Sequence, residues 1–208
     1  LNLTQDFRLD YRPGTFSVDG YQTMFENQTV IDLEDPRQVQ VYDLAGTSYA
    51  SSVQAQVDYE LRRRLDARLA YRWYEVRTTY GSDLKDKPYV AKHRAFLNLG
   101  YETVSNWKFD YTIQWQGRKR IPSTSSNPVA YQRATRSPDI ILMNAQITKS
   151  WKGQFDVYVG MENITNVKQN NPILASDQPG GTYFDSSMIW GPIFGRMTYV
   201  GFRLKAKS

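Results

Sequence analysis

Few residue types here are able to react. There is one histidine and no cysteine, which excludes disulfides and thiolate metal sites. His93 stands beside Arg94 near a strand end, either as a haem or metal ligand or as a rim residue at a loop boundary. No His-x-x-x-His pair, glycine-rich phosphate loop or Gly-x-Ser-x-Gly turn occurs. No catalytic residue, metal or cofactor is therefore expected. Recognition chemistry is better represented. Arg118, Lys119 and Arg120, followed by Tyr131, Arg133 and Arg136, make the 117–137 segment basic and aromatic. Guanidinium offers a fixed donor fork and rings offer stacking area, which suits an anionic or catecholate chelate. A second segment, Tyr183-Phe184-Asp185 to Trp190, is able to close over such a ligand or to pack on its neighbours. The candidate ligand contacts are Arg118, Arg120, Tyr131, Arg133, Tyr183, Phe184 and Trp190.

The elements that carry these segments announce themselves by alternation. In Trp107 to Gln116, the residues Trp107, Phe109, Tyr111, Ile113 and Trp115 interleave with Lys108, Asp110, Thr112, Gln114 and Gln116. Successive strand side chains point to opposite sides, so this is a strand with one apolar and one wet face. The same period of two runs through Val53 to Leu61, Leu65 to Trp73, Ala95 to Tyr101, Ile141 to Ile147 and Phe155 to Met161, and more weakly through Leu1 to Leu9 and Phe16 to Met24. A last strand is predicted over roughly Arg196 to Ala206. Short links at 10–14, 62–64, 104–106 and 150–152 alternate with long ones at 26–38, 76–89, 117–137 and 164–195, where most Pro and Asn residues fall. Nine strands joined short, long, short, long form an antiparallel up-and-down meander.

Composition narrows the solvent. The chain has 208 residues, nine Phe, five Trp and fifteen Tyr, too many rings for a disordered segment. Its longest apolar runs are as short as Ile140 to Met143, far below the ~18 to 20 residues of a spanning helix. The net charge of +5 is spread along the chain. The run Arg62-Arg63-Arg64 reads as a solvated turn or head-group contact, so no nucleic-acid partner is expected. The start, Leu1 to Gln5, shows neither a charged nor an apolar leader region, so a signal peptide is expected to be missing or removed. A soluble barrel would turn the apolar set inward, whereas an outer-membrane barrel turns it to lipid. The charged polar faces, apolar bands of ~9 to 11 residues, and rings at band ends such as Trp73, Tyr101, Trp107, Trp115 and Trp151 favour lipid. Short turns then lie in the periplasm and long loops outside. Lumen carboxylates are expected to pair with lumen cations, as Asp66 with Arg68 and Arg72, and Asp110 with Lys108. Nine strands leave two unpaired edges at membrane depth, so the chain is expected to be a fragment.

Two blocks resemble a known family. Val157-Tyr158-Val159-Gly160-Met161-Glu162-Asn163-Ile164-Thr165-Asn166, with Asn171-Pro172-Ile173, is similar to the penultimate-strand signature of TonB-dependent outer-membrane receptors. Trp190-Gly191-Pro192-Ile193-Phe194-Gly195-Arg196, continuing to Leu204, is similar to their C-terminal strand, most of all the Bacteroidetes version. The family usually ends on an aromatic, whereas this chain ends on Lys205-Ala206-Lys207-Ser208. The resemblance implies an all-β, antiparallel up-and-down transmembrane β-barrel of 22 strands. Residues 1–208 would supply about nine of its C-terminal strands; the plug domain and its TonB-engaging motif would lie outside this sequence. It implies import of a scarce chelate (a siderophore–iron complex, haem or cobalamin), with membrane lipid, plug, remaining strands, TonB and a surface lipoprotein as partners. The alternative is a barrel subunit of an outer-membrane assembly with a binding or structural role. In the implied bacterial host, the sequons at Asn2, Asn27 and Asn163 are chance.

Overall fold

The computed structural model describes residues 1–26, 28–34, 39–43 and 46–205. Asn27, Pro36, Gln38 and Ala206 to Ser208 lie outside that range. Twelve strands are described: β1 (Asn2–Leu9), β2 (Arg12–Phe25), β3 (Thr29–Asp32), β4 (Gln40–Asp43), β5 (Ser48–Arg62), β6 (Leu65–Tyr80), β7 (Asp83–Asp86), β8 (His93–Glu102), β9 (Trp107–Gln116), β10 (Ile140–Trp151), β11 (Phe155–Glu162) and β12 (Met197–Leu204). Nine of them pair in chain order as β1-β2-β5-β6-β8-β9-β10-β11-β12, every ladder antiparallel. This is the expected meander, and it is open: β1 and β12 are its two edges.

Tight turns gather at one end. Asp10 and Tyr11 join β1 to β2 with φ of 51° and 64°, the paired positive angles of a two-residue turn whose twist matches the strands it joins. Arg64, Asn106, Lys152 and Gly153 take the same left-handed conformation in the other three turns. The opposite end carries more structure than its composition predicts. The first long connection holds the β3–β4 hairpin, which forms a separate sheet. The 76–89 segment is half strand: β6 continues its alternation to Tyr80 and folds back as β7 across Gly81, φ 60°. Proline and charge hid this hairpin, because a strand beyond the membrane needs no apolar phase.

Register welds the alternating patterns into one surface. Directly opposed residues share a face, and Phe16, Val57, Leu69, Leu97, Ile113 and Met143 form one unbroken row across six strands. Leu65, Tyr101, Phe109, Ile147, Val159 and Val200 form another, nearer the short turns. These side chains are not sealed in a core. Leu69 is 54% exposed, Val159 47% and Phe202 74%, a loss of hydrophobic free energy in water that hydrocarbon contact removes. Buried apolar residues lie instead at the long-loop end: Val30 with Tyr80, and Ile121 with Leu174 and Met188.

Two expected lumen pairs are rearranged. Arg68 pairs with Asp58, not Asp66, and Lys108 sits 3.7 Å from Glu102, not against Asp110. Both observed partners are direct cross-strand neighbours. Opposed residues on adjacent strands lie closer than residues two apart on one strand, ~5 Å against ~7 Å.

Candidate functional site

The long-loop end is held together by charge. Arg120 donates from both terminal nitrogens to the Glu34 carboxylate (2.9 and 2.5 Å) and from Nε to the Asp86 carbonyl (2.5 Å). Three connections meet in this one side chain: 26–47, 81–92 and 117–139. Lys92 donates 2.9 Å bonds to both Glu75 and Asp86, and Arg77 lies 3.3 Å from Asp86. Burial alone would raise the Asp86 pKa, but the bond and charge of Lys92 and the Arg77 charge outweigh it and hold the carboxyl below its ordinary value. Burial would likewise lower Lys92, and its two carboxylate partners reverse the sign.

A second contact joins the 117–139 and 163–196 loops. Ile121, Leu174 and Met188 form its buried centre, with Tyr89, Tyr131 and Trp190 packed around them. The Tyr131 hydroxyl donates to Asp177 at 2.9 Å, and its ring lies 5.9 Å from that of Tyr183. Burial, and then the Asp185 charge, push the Tyr89 phenol up to about 12, and its hydroxyl has no hydrogen-bond partner among the described residues. Beside the cluster is a cavity of about 150 Å³ lined by Arg133, Arg136, Gln169, Asn171 and Trp190, among others.

The base of the 163–196 loop is locked by amides. Asn163 and Asn166 take φ of 50° and 53°, a conformation that asparagine tolerates better than most residues. The Asn163 amide donates to the carbonyls of Val167 and Phe194 and accepts the Val167 N–H. Asn166 accepts the Arg196 N–H, and the Arg196 guanidinium donates twice to the Ile164 carbonyl. Buried Gln169 accepts from the Trp190 and Gly191 N–H groups and donates to the Met188 carbonyl. The Glu162-to-Asn166 and Trp190-to-Arg196 motifs are thus two halves of one clasp.

Below the loops, the polar face carries cations without counter-charges. Arg72 and Arg94 are directly opposed across the β6–β8 ladder, between Gln54 and Gln116 in the same row. Arg72 donates to Ser52 and lies over the Tyr74 ring; neither arginine has a carboxylate partner among the described residues. Lys119 is half-buried above them and donates to the Trp190 carbonyl at 2.7 Å. Burial, and then the Arg94 charge, lower its pKa. Like charges directly opposed are destabilising, and Arg72, Arg94 and Gln114 line a cleft of about 210 Å³ in the polar wall.

The predicted contacts divide accordingly. Arg133 and Trp190 share a cavity, Tyr131 and Tyr183 pack beside it, Arg118 and Phe184 are exposed, and Arg120 is committed to Glu34. His93 lies in the outward row opposite Trp73, its Nδ1 2.7 Å from the Tyr71 hydroxyl. Among the described residues no group of three His, Cys, Asp or Glu side chains is arranged to hold a metal. The opposed Arg72 and Arg94 escaped sequence reading, because only the strand register puts them together.

A family profile described as TonB dependent receptor-like, beta-barrel matches residues 3–164. Similar solved structures include the ferric-catecholate import receptor Fiu of E. coli K12 (TM-score 0.63, 13% identity, covering 98% of this chain and 27% of that one). The FrpB iron transporter from Neisseria meningitidis is also similar (0.59, 11%, 98% and 29%), as is P. aeruginosa FpvA bound to pyoverdine (0.61, 14%, 98% and 26%). The chain spans about a quarter of the length of these structures, and at such identities the likeness is one of fold. No curated protein sequence matches the chain.

Proposed function

The chain belongs to the TonB dependent receptor-like β-barrel family, and from that premise we propose that it forms part of the wall and outer loops of a transporter importing a scarce anionic chelate. The family is one of bacterial outer-membrane transport, not of enzymes. In this reading residues 1–208 are the C-terminal portion of a larger, 22-stranded barrel, in the version found in the Bacteroidetes. The remaining strands and a plug fill the rest of the circumference and the lumen, and TonB acts through the plug. A siderophore–iron complex, haem and cobalamin are the cargo classes considered. A siderophore complex fits best, in line with the ferric catecholate, iron and pyoverdine named for the similar structures.

One observation carries the reading: Arg72 and Arg94 line the polar wall beneath the loops, with Lys119 of the 117–139 loop near Arg94, and none of the three has a carboxylate partner among the described residues. An anion arriving there gains charge-assisted hydrogen bonds and relieves the repulsion between the two guanidinium groups. No bond is made or broken; the work is binding, then gated passage. Arg118, Arg133, Tyr131, Tyr183, Phe184 and Trp190 supply the first contacts, and Arg120 keeps their loops in place.

The test is uptake in cells carrying the full-length gene, with and without TonB, offered a ferric catecholate, haemin or cyanocobalamin in turn. Accumulation of one probe that needs both the receptor and TonB supports import. Equal accumulation of all three without the receptor rejects it. If a surface lipoprotein co-purifies while uptake is unaffected, the subunit role replaces transport.

A further inference from the structure

On the outward face, the distribution of charge is one-sided. Among the described residues in the apolar phase of the nine crossing strands, the ionised groups next to the short turns are Arg12, Arg62 (opposite Leu65 past a bulge) and Lys149, all cations. The carboxylate in that phase among the described residues is Glu75, beyond Trp73 at the opposite end, where Arg77 lies 3.6 Å from it. Lys149 lies directly across the ladder from Trp107, and its Nζ is 5.2 Å from the Trp107 ring centre and 5.8 Å from that of Trp151. One of its donors goes to the Ser105 carbonyl. The carboxylates nearest in register, Glu102 and Asp156, fall in the opposite phase and lie near Lys108 (3.7 Å) and Lys205 (3.9 Å). Arg12, on β2, donates to the Leu61 carbonyl and has no carboxylate partner among the described residues.

An ammonium ion at a hydrocarbon boundary needs a counter-charge or water. Ring faces attract it but do not neutralise it. Trp107 and Trp151, 41% and 46% exposed, mark the level where chain interior gives way to head groups. The anion available at that depth, on that face, is a phosphodiester. We propose that Lys149, held between Trp107 and Trp151 and joined by the turn at Ser105, is a binding site for the phosphate of a phospholipid in the periplasmic leaflet. The ammonium takes the phosphate, and the two indoles flank the glycerol and upper acyl chain. Phe155 lies tilted against Trp151, ring centres 5.6 Å apart, and against Phe202, 6.4 Å apart, which widens the apolar surface beside the site. The site rests on the membrane placement argued above but not on transport.

The experiment uses the full-length receptor in dodecyl maltoside micelles and two photoactivatable probes with identical diazirine-bearing acyl chains, phosphatidylglycerol and diacylglycerol. Adducts are mapped by mass spectrometry. Segments 103–107 and 149–151 are expected to take about fivefold more adduct from phosphatidylglycerol. Lys149→Gln removes that excess and Lys149→Arg keeps it, in barrels whose heat-modifiable mobility is intact. Equal labelling of these segments by both probes in the unaltered receptor overturns the site, as does an excess that survives Lys149→Gln. Absence of adducts from both probes across the whole outward face would instead reject the membrane placement itself.

Discussion

Tyr199 lies flat across Gly160, its directly opposed neighbour on the adjacent strand, and donates its hydroxyl to Gln146 one strand further on at 2.8 Å. A Cβ at Gly160 would fall inside the Tyr199 ring. One row along, Tyr158 covers Gly201 in the same way. The glycines of Val-Gly-Met-Glu and Val-Gly-Phe are therefore the seats of two tyrosines that stiffen the last strands from the polar side, a ring covering the gap a glycine leaves in a sheet.

Gly160→Val should displace Tyr199 and break its bond to Gln146. The expected cost is about 1 to 3 kcal/mol, typical of forced overpacking. Urea titration of the heat-modifiable band in the full-length receptor measures it. Gly100→Val, where a Cβ would meet only Asp110 Oδ1 at an ordinary 3.8 Å, leaves the tyrosine seats untouched, so the Gln146–Tyr199 contact survives there.

The opposed arginines predict effects of opposite sign on stability and on binding. Arg94→Gln relieves a like-charge cross-strand pair and should stabilise the barrel slightly, by about 0.2 to 1 kcal/mol. The same change should weaken binding of a ferric catecholate about tenfold, the equivalent of one charge-assisted hydrogen bond. Equilibrium binding and urea titration of one preparation give both numbers. A loss of stability together with unchanged affinity would make Arg94 structural.

The loop latch should respond to acid. Asp86 has a depressed pKa in the folded protein, so its contribution is present above the ordinary aspartate value of 3.8 and is lost as pH falls through its lower, folded value. Lys92 is raised, so its contribution is complete below the ordinary lysine value of 10.5 and is lost only as pH rises through its higher, folded value. Between those limits the latch is closed. Hydrogen exchange of the 81–92 and 117–139 segments should be flat through neutral pH, after correction for intrinsic exchange, and rise in strong acid. Lys92→Met should raise it at neutral pH.

Gln169 supports three backbone groups across its loop. Gln169→Leu, similar in volume, leaves the buried N–H of Trp190 and its neighbours without an acceptor, a loss of about 1 to 3 kcal/mol. Protease should then nick the 163–196 loop faster than in the unaltered receptor, while the mobility of the barrel itself stays unchanged.

Strand identity and phase were legible because lipid on one side and water on the other impose a strict period of two, as in Trp107 to Gln116. The clasp was legible only as a resemblance: nothing in the word Glu-Asn-Ile-Thr-Asn says that Asn163 will bond to Phe194 across thirty residues of loop. Arg120 shows the opposite case. Its type and loop position read as a ligand contact, yet Glu34, distant in sequence, takes its guanidinium. Partners that arrive by register or by loop packing leave no local signal, and the Arg72–Arg94 pair is of that kind.

The most direct test of which face meets hydrocarbon is a nitroxide scan of adjacent positions, Leu97, Asn98 and Leu99 on β8 and Tyr111, Thr112 and Ile113 on β9, in a cysteine-free full-length receptor reconstituted in phospholipid vesicles. Oxygen accessibility should be high at 97, 99, 111 and 113, and accessibility to a water-soluble nickel chelate high at 98 and 112. If the two periodicities are interchanged, or if labels at 97 and 113 are shielded from both reagents, the greasy side is packed against protein and the account fails.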